Sequence, residues 1–323
     1  MPTPEQIDRF RREVETLTGT PAERLGVAVS GGPDSLALLL LAAAACPGRV
    51  EAATVDHRLR PENAAEAAFV ASVCEDLAVP HATLSEAEPI SGASLQAQAR
   101  ALRYGLLADW AERRGLAAFA TAHHMDDQAE TVLMRLARGS GVAGLAAIRA
   151  RRNAGALAIL RPLLGWRREE LAAIVAAAGL KPVDDPSNRS DAHDRTRFRA
   201  LLAKSVLLPA PRLAAAAAHL SEAEEALAWA AEREWSERAS SRDGDIKLDL
   251  TGLPPDLFRR LAARAIEEVR RGEGEWRRDK LAGALAEALR SGHATLAGVA
   301  IASGAVWRFS PEPPRRSNRS DPD

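Results

Sequence analysis

Apolar and polar positions along the first two hundred residues follow two alternating periods. Residues 25–29, LGVAV, form a short unbroken apolar run, which predicts a strand buried on both faces. A helix is predicted from Ser35 onward, carrying a second apolar run over 36–46. VEAATVD at 50–56 predicts a second strand, and a helix follows over roughly 62–77. HATLSEA at 81–87 predicts a third strand, and a long amphipathic helix covers 94–114. LAAFATAHH at 116–124 predicts a fourth strand, with a helix starting near Asp126. ALAILRPLL at 156–164 adds a fifth strand ahead of a helix near 167–178. Strands alternating with helices imply an α/β fold, a doubly wound and mostly parallel sheet with helices on both faces.

The pattern changes after residue 205. Long alanine-rich helices are predicted over 211–238, 254–271 and 275–290, with one strand at DIKLDL. Residues 294–310 read as a hairpin turning at Ser303-Gly304. A boundary near 205–212, at SVLLPAPR, divides the chain into three segments: 1–207, a smaller and mainly helical 208–310, and a tail over 311–323 expected to be disordered.

Composition changes this picture in three places. The chain has 323 residues, enough for two domains with buried cores. Its net charge is −1, which argues against indiscriminate nucleic-acid binding. Yet residues 134–204 hold 14 basic and 6 acidic side chains, a local surplus that reads either as a polyanion-binding face or as an arginine-rich solvated surface. Cys46 and Cys74 are the two cysteines, too few for a disulfide framework or a CxxC motif, and both fall in apolar helical patterns. The polar start of the chain lacks a signal-peptide pattern, and the run over 36–46 is too short for a bilayer, so a cytoplasmic protein without a membrane partner is expected.

The candidate chemistry begins at SGGPDS, residues 30–35, directly after the first strand. Glycines there let backbone approach a phosphate, and a helix N-terminus attracts an anion. An aspartate in such a place is explained by a bridging Mg²⁺, so Asp34 is the candidate metal ligand. The loop is neither GxxxxGK[ST] nor GxGxxG. Asp56, His57 and Arg58 follow the second strand. Arg100 and Arg103 lie three apart on one predicted helical face beside Tyr104, which suits polyphosphate and also fits a surface arginine pair. In TAHHMDDQAETVLMRLARGSG, residues 121–141, Asp127, Glu130 and Thr131 share a face. Such acids can hold a cation or act as a base; a dinuclear metal site from the His and Asp pairs and a plain helix cap are the rival readings. Arg195, Arg197 and Arg199 alternate farther on, fitting either phosphate contacts or a basic surface helix.

SGGPDS resembles the pyrophosphatase-type loop of the N-type ATP pyrophosphatases, with their adenine nucleotide alpha hydrolase-like fold. VDHRLR, ARALRY, AHHMDDQAETVLMRLARGSG, RPLL and DPSN…RTRFR, in this order, narrow the resemblance to the tRNA(Ile)-lysidine synthases over about residues 24–205. Thr196 departs from that pattern, which more often has Asn there. The resemblance implies that 1–207 is a PP-loop catalytic domain and 208–310 a tRNA-binding domain. It implies ATP and Mg²⁺ as cofactors, and as partners a CAU-anticodon tRNA(Ile) and free L-lysine, with a homodimer as one assembly to test. The implied reaction adenylates O2 of the wobble cytosine and then joins lysine to carbon 2, releasing AMP and pyrophosphate and moving codon specificity from AUG to AUA. Carried over residue by residue, ATP falls to Ser30, Gly31, Gly32, Pro33, Asp34, Ser35, Asp56 and His57. The catalytic set is Asp34, Arg100, Arg103, Asp127 and Glu130; Asp126, Asp127 and Glu130 take the lysine; Arg138, Arg195, Arg197 and Arg199 meet the tRNA. A tRNA thiolase, an amidotransferase subunit and a nucleotide-binding regulator are the competing readings, and the two isolated cysteines speak against the first.

Overall fold

The computed structural model describes residues 1–20, 24–56, 62–86, 95–183, 194–270, 276 and 278–312. Its contacts divide the chain into two compact units, Met1–Ser221 and Glu222–Asp323.

The first unit starts with α1 (Pro4–Thr18) and β1 (Leu25–Ala28), followed by α2 (Pro33–Ala45), β2 (Val50–Asp56), α3 (Glu62–Asp76) and β3 (His81–Ser85). Next come α4 (Leu95–Arg113), β4 (Ala118–Ala120), α5 (Met125–Ala137), α6 (Val142–Leu145), β5 (Arg151–Ala154), β6 (Leu157–Leu160), α7 (Arg168–Ala177) and α8 (Asp194–Lys204). The sheet runs β3-β2-β1-β4-β6-β5, parallel throughout except for the antiparallel edge strand β5. The strand order reverses at β1, which lies between β2 and β4. In such sheets the crevice beyond the carboxyl ends at the reversal is where ligands bind. The loops leaving β1 and β4 are SGGPDS and TAHHMDD, so topology sets the two richest motifs side by side.

Helix α2 is apolar on all sides because it is buried on all sides, with Leu36 through Ala42 enclosed by α1, α7 and the sheet. Across the sheet, Trp110 and Leu107 of α4 pack with Phe119, Leu84 and Ile159. Gly26 permits this: a Cβ there would stand 2.9 Å from both Phe119 Cβ and Trp110 Cζ3. Cys46 and Cys74 are buried free thiols, as expected, and burial pushes the Cys74 thiol up to about 12.

Helix α9 (Ala210–Arg238) contains the division between units. The second unit continues with β7 (Ala239–Arg242), β8 (Asp245–Leu248), α10 (Pro255–Arg270), α11 (Leu281–Ser291), β9 (His293–Leu296), β10 (Val299–Ala302) and β11 (Trp307–Pro311). Its antiparallel sheet, β7-β8-β11-β10-β9, packs Ile246, Leu248, Ile301 and Phe309 against Leu261, Ile266 and Leu285. Buried Glu224 accepts two hydrogen bonds from Arg260, at 2.8 and 2.6 Å.

Several elements differ from the sequence reading. Helix α1 was not expected, although Thr3 and Gln6 form a capping box around Pro4. β5 has four exposed residues and no apolar period to reveal it; Arg151 and Arg152 keep this edge charged. β4 is shorter than expected, because residues 121–124 leave the sheet to form the site. The hairpin over 294–310 is a three-strand meander, with its first turn at Ala297-Gly298, both at positive φ. DIKLDL pairs with the polar strand β7, which carries no apolar signal. The tail after 312 and His57 lie outside the described residues.

Candidate active site

The loop after β1 is built for close approach. Gly31 has φ +82°, and a Cβ on it would meet Val183 Cγ2 at 3.0 Å, so both conformation and space require glycine. Its carbonyl accepts from Val183 N–H at 3.0 Å. Ser35 Oγ donates to the Gly32 carbonyl at 3.0 Å and accepts from Ser30 N–H at 3.1 Å, drawing the turn tight. Gly32 caps α2 with no side-chain bond, and Pro33 occupies the first turn. The N-terminal pole of α2 thus offers partial positive charge with no side chain across it. Asp34 Oδ1 is buried there without a hydrogen-bond partner.

The loop after β4 meets it. His124 is wholly buried and caps α5. Its Nδ1 lies 3.2 Å from the Asp126 N–H and accepts from it only in the neutral ring, with the proton then on Nε2. Nε2 lies 3.4 Å from Asp34 and 3.6 Å from Asp127, in hydrogen-bond geometry with neither. Burial disfavours the imidazolium, but the carboxylates of Asp126, Asp34 and Asp127 outweigh it and lift the pKa to about 9. His124 therefore joins the phosphate-type loop to the acids of α5. His123 behaves oppositely. It turns to Thr121 Oγ1 at 2.9 Å. Burial, supported by Arg161, Arg100 and Arg195 and opposed by Asp127, holds its pKa at about 4. The two adjacent histidines do not share a ligand position. Among the described residues, no set of three His, Cys, Asp or Glu side chains is arranged to hold a metal ion.

The three acids are held differently. Asp126 accepts from Arg168 N–H at 2.9 Å, at the start of α7, and pairs with Arg167 at 3.3 Å. Burial works against its charge, but His124, the Arg168 amide and Arg167 prevail and keep it ionised. Asp127 accepts from His124 N–H at 3.1 Å and from Arg195 at 2.6 Å. Burial raises its pKa, and His124, Arg195 and His123 together lower it more. Glu130 is only 1% exposed and accepts from Arg195 Nε and Arg199 Nε, both at 2.7 Å.

Most of the expected residues gather at this edge. Asp34, Asp126 and Asp127 lie around His124, Ser30 bonds to Ser35 in the same loop as Asp34, Glu130 is joined to Asp127 through Arg195, and Asp56 ends β2 on the neighbouring strand. Arg100 and Arg103 project from α4; Arg100 stacks over Tyr104 at 5.1 Å and is near enough to act on His123. Arg138 follows α5, and Arg197 lies on α8 away from the acids. Arg195 and Arg199 pair with α5's acids while staying partly exposed, so these pairs do not exclude the expected phosphate contacts. Sequence reasoning assigned no role to His124, Arg161, Arg167 or Arg168. The signal for the first was its place in AHHMDD; for the others it was the RPLL and WRR stretches. Arg161 is buried, donates to the Arg149 carbonyl at 2.7 Å, and has an unpartnered Nε.

Similarity to known proteins agrees with this geometry. The PP-loop domain family, ATP_bind_3, matches residues 5–206. The tRNA(Ile)-lysidine synthase of Novosphingobium aromaticivorans is 48% identical over 96% of this chain and 95% of its own length. That of Zymomonas mobilis is 43% identical over the same shares. Among solved structures, the U34-tRNA thiolase NcsA of Methanococcus maripaludis with its [4Fe-4S] cluster matches with a TM-score of 0.56 and 16% identity. It covers 67% of this chain and 79% of that one, a likeness of fold alone. With its PP-loop domain, its doubly wound sheet and relatives matching along nearly its whole length, this chain belongs to the tRNA(Ile)-lysidine synthase family, ATP-using enzymes of tRNA modification.

Proposed function

We propose that this protein joins free L-lysine to carbon 2 of the wobble cytidine of a CAU-anticodon tRNA(Ile), forming lysidine and changing the codon read from AUG to AUA. One observation carries the reading: His124 packs between Asp34 of the loop after β1 and Asp127 of α5. A triphosphate loop and an acidic pocket thus share a buried hinge, as two chemical steps on one base require.

The first-turn amides of α2 and the hydroxyl of Ser30 bind the triphosphate of ATP, and Ser35 holds the turn that presents them. Asp34, with an orphaned buried oxygen beside that helix pole, fits Mg²⁺, which when bound neutralises polyphosphate charge. Asp56 and His57 complete the nucleotide site. Arg100 and Arg103 stabilise charge as cytosine O2 attacks the α-phosphorus and pyrophosphate leaves. Asp127, with Asp126 and Glu130, receives the lysine ammonium. An amine of pKa near 10.4 must lose a proton before attack, and this reading gives that proton to Asp127 once lysine displaces part of its pairing with Arg195. The amine nitrogen bonds to carbon 2, the carbon–O2 bond breaks, and AMP departs with that oxygen. Arg195 also pairs with Asp127, so an arriving ammonium shares the carboxylate with that guanidinium. Arg138, Arg195, Arg197, Arg199 and the second unit grip the tRNA. A cytoplasmic location and assembly as a homodimer belong to the same proposal.

The test is incubation with ATP, radiolabelled lysine and an unmodified CAU tRNA(Ile) transcript. Label should enter the RNA only when all three are present, with stoichiometric AMP and pyrophosphate. Label entering without ATP, or AMP formed with no label in RNA, would reject the reading. Sulfur transfer requires an accessible cysteine or cluster, and the two cysteines are buried.

A further inference from the structure

Helix α8 has two working faces. Arg195 and Arg199, one turn apart, face the acids of α5. Arg197, Phe198 and Leu201 line a separate cleft of about 490 Å³, closed on the other side by Met134, Ala137 and Arg138. That volume lies in the range of small-ligand sites and suits one nucleotide unit. The α5 stripe is continuous: Glu130 to Met134 to Arg138 are successive i, i+4 neighbours, so the cleft begins one helical turn, about 5.4 Å, beyond the acidic pocket. Its chemistry is mixed in a specific way. Two guanidiniums border an aromatic ring and three other apolar side chains, Met134, Ala137 and Leu201. The surrounding segment carries 14 basic against 6 acidic residues. Its apolar lining alone would also suit a protein partner; the paired guanidiniums beside a ring, within a basic segment, favour a single-stranded nucleic acid, which needs a ring for a base and cations for its phosphates.

We propose that this cleft binds a nucleotide of single-stranded RNA adjacent to the one being modified, its base stacked on Phe198 and its phosphate held by Arg197 and Arg138. The proposal rests on the tRNA reading above and deepens it, assigning the stacking side chain that a chain with 4% aromatic residues leaves open. Phe198 acts on binding; the bond-making groups sit one turn away. Anchoring the neighbour would hold the target base unstacked over the acids, since sequence-selective RNA recognition works on splayed loops.

The experiment measures the affinity of the full chain for an isolated CAU anticodon stem-loop, without ATP or lysine, beside lysidine formation on whole tRNA. Phe198→Ala should weaken stem-loop binding roughly 5- to 100-fold, the loss of one stacked base. Phe198→Tyr should bind as wild type, whereas Phe198→Leu, which keeps the packing but not the ring, should bind like alanine. Arg197→Gln should weaken binding and lower the salt slope by about one. If Phe198→Leu binds as well as Phe198→Tyr, stacking is refuted. If the variants leave RNA binding intact but change the sedimentation of the protein, the cleft belongs to a second copy of the chain and the proposal fails. Wild-type protein that binds the stem-loop tightly yet makes no lysidine would sink the reaction while leaving this site standing.

Discussion

At the residue scale, the site depends on charges that compensate one another out of water. Glu130 is buried while its partners Arg195 and Arg199 are 41% and 35% exposed, so the network is only half desolvated. Glu130→Ala should cost roughly 1–3 kcal/mol, less than the 3–5 kcal/mol for breaking a fully buried pair, and a denaturant melt will measure it. Asp127→Ala removes the proposed base and one tie to Arg195. It should keep ATP binding and pyrophosphate release but lower lysine transfer by about 10²–10⁴-fold; normal turnover would remove Asp127 from the mechanism. Asp34→Ala should abolish pyrophosphate release itself. These three substitutions separate roles that residue type alone leaves merged, because each acid has different neighbours.

At the element scale, the parallel sheet is held by close packing on both faces. Gly26 lets Trp110 of α4 lie against the sheet, and Gly26→Ala has 2.9 Å contacts to relieve. A loss of roughly 1–3 kcal/mol is expected, read as a lower denaturation midpoint. The thiol of Cys74, on α3, lies on the other side of the sheet, in the core that encloses α2. Its folded pKa of about 12 stands above the ordinary thiol value of 9.0, so its contribution to stability is present below pH 9 and is lost as pH rises from there toward 12. At pH 8 the folded chain should leave this thiol unreactive to a disulfide reagent until denaturant opens it; rapid labelling of native protein would contradict the packing described. The long elements were legible because their apolar positions repeat: the α2 run and the strands at 25–29 and 50–56 need burial to be stable. β5 and β7 were illegible for the opposite reason. Their residues are polar and exposed, and they are strands only because a neighbouring strand offers backbone partners.

At the scale of the whole molecule, the question is how a chain of net charge −1 holds a polyanion. The basic surplus of 134–204 lies in the first unit, and part of it is spent on Asp126, Asp127 and Glu130. Binding to tRNA should therefore weaken linearly in log salt, with a slope of about −0.7 to −0.9 per phosphate contacted, and filter binding from 50 to 200 mM salt will show it. Affinity indifferent to salt would remove the phosphate grip. By itself the sequence determined the alternation of strands and helices, the loop at 30–35 and the acids that open α5, because periodic burial and local backbone demands are written in residue order. Only the tertiary structure decided that the β1 and β4 loops adjoin at the reversal of strand order. It alone placed His124 between Asp34 and Asp127, and turned Arg195 and Arg199 inward while leaving Arg197 and Phe198 on a cleft. Those outcomes depend on which strands pair and which faces meet, and pairing between distant segments leaves no period along the chain.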